Sequence, residues 1–158
     1  MAKFLIENTK QSVPYPARLL GVDLGKKTIG LAVCDAQQSL ATPLETIARK
    51  KFADDLKRLL QLVDEYNVEG LVFGYPLHMN GEKSAGCDRV ESFVDELLRT
   101  SDRNFWVGFQ DERLSTVSVE ESVDEFVDKR KAKDSGLTDK LAAQSILQSA
   151  LDYLARQS

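Results

Sequence analysis

The chain has 158 residues, of which 42% are hydrophobic and 29% are charged, and its formal net charge is −4. This composition is typical of a globular protein and excludes a disordered chain, a collagen-like repeat and a small disulfide scaffold. The negative net charge argues against a protein that holds nucleic acid by bulk positive charge, but it is compatible with an enzyme that uses a local basic patch.

Two further features bear on the cellular compartment. No stretch approaches about 18 consecutive apolar residues, so we expect no membrane-spanning helix, and the N-terminus lacks the apolar run of a secretory signal. Cys34 and Cys87 lie far apart without metal-ligand spacing. This is typical of free thiols in a reducing environment, and we therefore expect a cytoplasmic protein.

The predicted elements begin after a tail. Residues 1–17 contain Val13-Pro14-Tyr15-Pro16, whose two prolines favour an extended, flexible segment. Nothing from residue 18 to the end resembles a domain linker, so residues 18–158 are expected to form one domain.

Hydrophobic spacing then predicts three strands followed by alternating helices and strands. In chain order we expect strands at 19–23, 28–34 and 40–47, a helix at 52–66, a strand at 70–74, a polar loop at 75–83, a helix at 90–98, a strand at 105–109, and helices at 118–127 and 138–155. This order predicts an α/β fold with a mixed five-stranded sheet flanked by helices, in which the first three strands are antiparallel.

Acidic residues follow the predicted strands at points that would meet at one sheet edge. Asp23 ends the first strand, Asp111 and Glu112 follow the fifth, and Asp139 opens the last helix on its apolar face. Ligands bind at the carboxyl ends of strands in open α/β sheets. Taken singly, each acid has a structural alternative, namely a turn cap, a surface pair with Arg113, or a favourable interaction with the helix dipole.

The four acids together suggest a metal site. Clustered carboxylates repel one another unless they are protonated or bridged by a cation. Oxygen ligands without His or Cys favour Mg²⁺ or Mn²⁺, and two such ions about 4 Å apart would activate a water for phosphodiester cleavage. The single histidine, His78, excludes a two-histidine ribonuclease mechanism.

Four segments resemble one known family. They are GVDLGKKTIG at 21–30, GYPLHMNG at 74–81, DERLST at 111–116, and TDKLAA with ILQ between 138 and 148. In this order they resemble the YqgF family, which is described as pre-16S ribosomal RNA processing nucleases and as Holliday junction resolvases. The resemblance extends over residues 19–153.

The resemblance implies an RNase H-like fold and a metal-dependent nuclease site. The family's first-strand acid falls on Asp23 and its last-helix acid on Asp139, which with Glu112 would be the catalytic residues. The middle acid falls on the pair Asp111 and Glu112, of which we favour Glu112 as the metal ligand. Related resolvases carry their middle acid at the end of the fourth strand, where this chain has Gly74.

The function implied is endonucleolytic processing of the 5′ end of pre-16S rRNA, with structured RNA and a ribosomal particle as partners. Resolution of four-way DNA junctions is the alternative, and it would require a two-fold dimer, whereas RNA trimming could be done by a monomer or weak homodimer. A non-catalytic RNA-binding or ribosome-assembly factor is a further alternative. The segment Asp23–Thr28 also resembles the phosphate loop of the actin and sugar-kinase superfamily, whose members close two such domains around a nucleotide.

Substrate contacts are expected from local basic and hydroxyl groups. Besides a cluster at 49–51, the candidates are Lys26, Lys27, Tyr75, Arg113, Ser115, Thr116, Lys129, Arg130 and Lys131. The last three lie in a connection just before Asp139, where they would close on backbone phosphates or remain a solvated loop balanced by nearby acids.

Overall fold

The computed structural model describes residues 3–5, 13–111 and 137–156, the first three by their backbone. The helix predicted at 118–127 lies outside the described residues, and the other elements agree with the predicted order. The elements are β1 (Lys3–Leu5), β2 (Arg18–Leu24), β3 (Thr28–Cys34), β4 (Ala41–Ala48), α1 (Phe52–Tyr66), β5 (Val68–Tyr75), α2 (Ala85–Ser101), β6 (Trp106–Asp111) and α3 (Leu137–Arg156).

The strands form one mixed sheet in the spatial order β1-β6-β5-β2-β3-β4. β3 pairs antiparallel with β2 and with β4, whereas β5 pairs parallel with β2 and with β6. The predicted antiparallel start and mixed sheet are therefore confirmed. The sheet has one strand more than predicted, because β1, within the expected tail, pairs parallel with β6. A strand of three residues is too short for an alternation pattern to indicate it.

Strand alternation divides the side chains of the sheet between two faces. One face packs against α1 and α2 and forms the larger core, which includes Val22, Leu31 and Phe73. The other face packs against α3 and forms a second core with members from the sheet and from the helix. We call this second face the α3 face, and it carries Leu19, Ala32, Val72 and Trp106.

Apolar residues at helical spacing explain the helices. In α1 the buried stripe includes Leu56, Leu59 and Val63, which face the larger core. The helix ends at Tyr66 and is capped by Asn67, whose φ of 54° is the left-handed conformation that Asn tolerates better than most non-glycine residues. In the part of the chain that the structure describes, no helix combines the length and the apolar character needed to cross a membrane.

Candidate functional site

The carboxyl ends of three neighbouring strands, β2, β5 and β6, mark one edge of the sheet. β2, β5 and β6 run in the same direction, so their carboxyl ends, at Leu24, Tyr75 and Asp111, lie at this edge. β3 runs in the opposite direction and begins here, at Thr28. This is the edge at which ligands bind in open α/β sheets.

Asp23 lies on the α3 face near the end of β2. It lies on the same face of β2 as Leu19 and Gly21, which contact α3, and its cross-strand partner is Gly30. A Cβ atom at Gly30 would lie only 2.1 Å from the carbonyl oxygen of Asp139. A glycine at this position therefore allows the first turn of α3 to lie directly on the sheet beside Asp23.

The structure brings the carboxylates of Asp23 and Asp139 together, as the sequence predicts. Burial and, second, the negative charge of Asp139 raise the pKa of Asp23 from its usual 3.8 to about 6. The hydroxyl of Thr28 donates a hydrogen bond to Oδ2 of Asp139 at 2.9 Å. No ion pair within the described residues joins either acid to a Lys or Arg. The two charges are therefore close together without a cationic partner among these residues.

The donor set of this pair fits a hard divalent cation. Asp23 and Asp139 offer carboxylate oxygens, which are the ligands that Mg²⁺ and Mn²⁺ prefer. A cation at this position would also remove the repulsion that contributes to the raised pKa of Asp23. Within residues 13–111 and 137–156, no group of three or more His, Cys, Asp or Glu could hold a metal ion. The described residues thus supply two candidate ligands rather than a complete set.

Asp111 ends β6 on the face of the sheet opposite to Asp23. Its cross-strand partner is Tyr75, and the Tyr75 ring stacks on Phe109 with centroids 4.7 Å apart, which places all three on the face of the larger core. Tyr75 is 5% exposed, so its ring belongs to the core. Glu112 lies outside the described residues, and the choice between Asp111 and Glu112 as metal ligand stays a prediction.

A buried ion pair beside the site was not predicted. Asp55 is 1% exposed, its Oδ1 accepts the Lys50 N–H at 3.0 Å, and its Oδ2 lies 3.6 Å from Arg49 Nε. The Arg49 guanidinium donates to the Gly25 carbonyl and the Arg49 backbone N–H donates to the Lys27 carbonyl, both at 2.9 Å. Arg49 therefore fixes the turn between β2 and β3 rather than standing free in a basic cluster.

The sequence does contain a signal for this pair. Asp55 falls between Phe52 and Leu56 on the apolar stripe of α1. A charged residue on the buried face of a helix requires a partner, because an unpaired buried charge is costly. The nearest basic segment along the chain, which contains Arg49, was the candidate.

The predicted substrate contacts are partly described. Lys26 and Lys27 are exposed in the turn that follows Asp23, and His78 is exposed in the loop after β5. The side chain of Tyr75 lies near that of Lys83, and its role as a substrate contact stays a prediction. The remaining predicted site residues lie outside the described residues, and they are Glu112, Arg113, Ser115, Thr116, Lys129, Arg130 and Lys131.

Comparison with solved structures concerns the fold. The fowlpox virus resolvase in complex with Holliday junction DNA matches with a TM-score of 0.53 at 13% identity, covering 87% of this chain and 98% of the other. RuvC of T. thermophilus in complex with a Holliday junction substrate matches with a TM-score of 0.51 at 12% identity, covering 89% and 96%. These similarities confirm the expected RNase H-like fold.

Comparison with sequences gives the family. A protein of Beijerinckia indica, named "Putative pre-16S rRNA nuclease", is 46% identical over 138 residues, which cover 87% of this chain and 82% of the relative. The family RuvX, described as Holliday junction resolvase, matches residues 17–153, a range that contains all four motifs and both Asp23 and Asp139. The chain therefore belongs to the RuvX family, which is the YqgF family that its motifs resemble.

Proposed function

We propose that this chain is a divalent-metal-dependent endonuclease that hydrolyses phosphodiester bonds and processes the 5′ end of pre-16S rRNA. The observation that carries the proposal is the pair of carboxylates, Asp23 and Asp139, at the ligand-binding edge of the sheet. The description of the family supports nuclease activity. The name of the Beijerinckia indica relative supports the RNA substrate.

Asp23 and Asp139 would hold Mg²⁺ or Mn²⁺, with a third acid completing the set. Glu112 is our choice for the third ligand, because Asp111 lies on the face of the larger core and Asp23 on the α3 face. Two ions, rather than one, are part of the proposal because the reaction generates charge on both the attacking and the leaving oxygen.

A bound cation would supply Lewis-acid activation of the attacking water and would neutralise charge at the scissile phosphate. The chain's own residues orient the reactants. Asp23 and Asp139 fix the cation site against the sheet, and the exposed Lys26 and Lys27 contact backbone phosphates beside it. Attack of water on phosphorus with release of the 3′ oxygen leaves 5′-phosphate and 3′-hydroxyl ends.

Further substrate contacts belong to the proposal as predictions. Arg113, Ser115 and Thr116 follow the third acid, and the basic residues at 129–131 precede Asp139 in the sequence. Both segments are joined to elements of the site edge, β6 and α3, which is where an RNA backbone would have to pass. A ribosomal particle in the cytoplasm is the setting that this substrate implies. The thiols of Cys34 and Cys87 are buried and free, as expected for a reducing compartment.

The test is cleavage of a labelled precursor of small-subunit rRNA by the purified protein with Mg²⁺, with Mn²⁺ and with a chelator. Asp23→Asn is the active-site variant. Asp88→Asn is its matched control, because Asp88 is exposed on α2 and undergoes the same change of charge. We expect metal-dependent cleavage by the wild type and by Asp88→Asn but not by Asp23→Asn. Equal cleavage by all three proteins would contradict the proposed site.

A labelled four-way DNA junction in the same assay addresses the second candidate, which the family description favours. Symmetric cleavage of the junction, with the RNA left intact, would move the function to recombination. Metal-independent RNA binding without cleavage of either substrate would instead support a binding factor.

A further inference from the structure

One hydrogen bond joins two parts of the site that are 111 residues apart in sequence. The Oγ1 of Thr28, the first residue of β3, donates to Oδ2 of Asp139 in the first turn of α3 at 2.9 Å. Both side chains are partly buried. In the described part of the chain this is the side-chain hydrogen bond that links the sheet edge to the Asp139 carboxylate.

Thr28 presents its hydroxyl from a fixed position. Its carbonyl accepts the Gly25 N–H at 2.9 Å, and its cross-strand partner on β4 is Ala48. Arg49, the next residue after Ala48, donates its N–H to the Lys27 carbonyl at 2.9 Å. The backbone on both sides of Thr28 is therefore held by β-ladder and turn hydrogen bonds.

Because side chains alternate along β3, the side chain of Thr28 lies on the α3 face of the sheet. Gly30 lies two residues further, and the absence of a side chain there allows the Asp139 backbone to approach the sheet. Gly30 and Thr28 thus act on the same residue in different ways. Gly30 leaves room for the first turn of α3 beside the sheet, and the Thr28 hydroxyl bonds one oxygen of the Asp139 carboxylate.

We propose that Thr28 is a positioning residue for Asp139 and holds its carboxylate in the orientation that binds a divalent cation together with Asp23. This inference rests on the proposed function. Thr28 would act through the proposed metal ligand Asp139 and would not itself bind the cation. A hydroxyl donor to a carboxylate forms a charge-assisted hydrogen bond, which opposes rotation of Asp139 away from the like charge of Asp23. The bond engages Oδ2 and leaves Oδ1 as the oxygen without this donor.

The test compares Thr28→Val, which keeps the shape and loses the hydroxyl, with Thr28→Ser, which keeps the hydroxyl. Thr42→Val is the matched control, because Thr42 is exposed on β4 and undergoes the same substitution. The dissociation constant of Mn²⁺ is measured by electron paramagnetic resonance of free Mn²⁺, thermal unfolding confirms that each variant is folded, and RNA cleavage is measured in parallel.

We expect Thr28→Val to raise the Mn²⁺ dissociation constant about 10- to 100-fold, the usual effect of removing a hydrogen-bond partner of a metal ligand. Excess Mn²⁺ should restore much of its cleavage rate, and Thr28→Ser and Thr42→Val should bind as the wild type does. Equal Mn²⁺ binding by a folded Thr28→Val overturns the inference and leaves the proposed function standing. A wild type that binds Mn²⁺ but cuts no RNA overturns the proposed substrate only, and one that binds no Mn²⁺ overturns both.

Discussion

Two acidic side chains near the same edge of the molecule, Asp55 and Asp23, have opposite surroundings. Asp55 is 1% exposed, accepts a backbone N–H and lies 3.6 Å from the Arg49 guanidinium nitrogen Nε. Asp23 is partly buried beside a second carboxylate, Asp139, and has no ion-pair partner within the described residues. Asp55 therefore lies beside a cationic group, although its Oδ2 accepts no hydrogen bond, whereas Asp23 lies beside a like charge.

This difference is the one we expect between an acid with a structural role and an acid proposed to bind a metal ion. Arg49 compensates Asp55 and at the same time fixes the turn that carries Lys26 and Lys27. Asp23 has no ion-pair partner among the described residues, and burial, followed by the negative charge of Asp139, raises its pKa. Ionisable side chains whose charged form is destabilised by the fold are concentrated at functional sites, where a bound ligand stabilises that charge.

The largest expected effect comes from Asp23→Asn. Cleavage should fall by at least about a thousandfold, because a metal ligand contributes several kcal/mol of transition-state stabilisation. The free energy of unfolding in chelator at about pH 7 should rise, by at most about 3 kcal/mol, since the change removes a repelled charge whose pKa is raised to about 6. Urea unfolding and single-turnover cleavage measure the two quantities. A variant that is both inactive and less stable would contradict the account of Asp23.

Arg49→Ala should make Asp55 as poorly compensated as Asp23. We expect the free energy of unfolding to fall by about 3 kcal/mol, the lower end for breaking a buried pair, because Arg49 is 25% exposed. The double variant Arg49→Ala/Asp55→Asn should recover part of this loss, because it removes the unpaired charge. If the losses of unfolding free energy of Arg49→Ala and Asp55→Asn simply added in the double variant, the two side chains would not be coupled. Urea unfolding measures the three variants.

The pH dependence of stability should distinguish Asp23 from the other acids. Its pKa is raised from 3.8 to about 6, so the folded state binds the extra proton between these values. In chelator, stability should therefore fall as the pH rises from about 4 to about 6, by at most about 3 kcal/mol. Acids with lowered pKa values, such as Asp35, make stability rise with pH instead. They are present in both the wild type and Asp23→Asn, so their contribution cancels when the two proteins are compared. The difference between their urea-unfolding profiles should show the fall, and parallel profiles would contradict it.

Gly30→Ala tests whether the close approach of α3 creates the carboxylate pair. The new Cβ would lie 2.1 Å from the Asp139 carbonyl oxygen, so the first turn of α3 must shift. We expect a loss of about 1–3 kcal/mol in unfolding free energy, as for other overpacked positions, and weaker Mn²⁺ binding. Unchanged Mn²⁺ affinity in the folded variant would show that the approach at Gly30 does not position Asp139.

Much of the fold follows from local patterns. Apolar runs of strand length and helical spacing predict β2 to β6 and the helices α1 and α2, and the apolar face of α3 places Asp139 against the sheet. The prediction missed β1, whose three residues gain their pairing from β6, more than a hundred residues away in the sequence. Local sequence cannot indicate an element whose stability is entirely non-local.

The site was predictable in outline. Residue type and strand ends pointed to Asp23 and Asp139, and the structure brings them together. The hydrogen bond from Thr28 and the partnership of Arg49 with Asp55 depend on register and on helix placement, which residue spacing does not give. The roles assigned to the residues between 112 and 131 stay predictions.

The most direct test of the central claim is the thermal unfolding of the wild type and of Asp23→Asn, with chelator and with Mg²⁺ or Mn²⁺. If Asp23 and Asp139 form a cation site, the cation should stabilise the wild type, by about 2.7 kcal/mol at a hundredfold excess over its dissociation constant. It should have little effect on Asp23→Asn, which is already relieved of the repulsion. A cation that stabilises both proteins equally, or neither, would contradict the claim that this pair of carboxylates binds a metal ion.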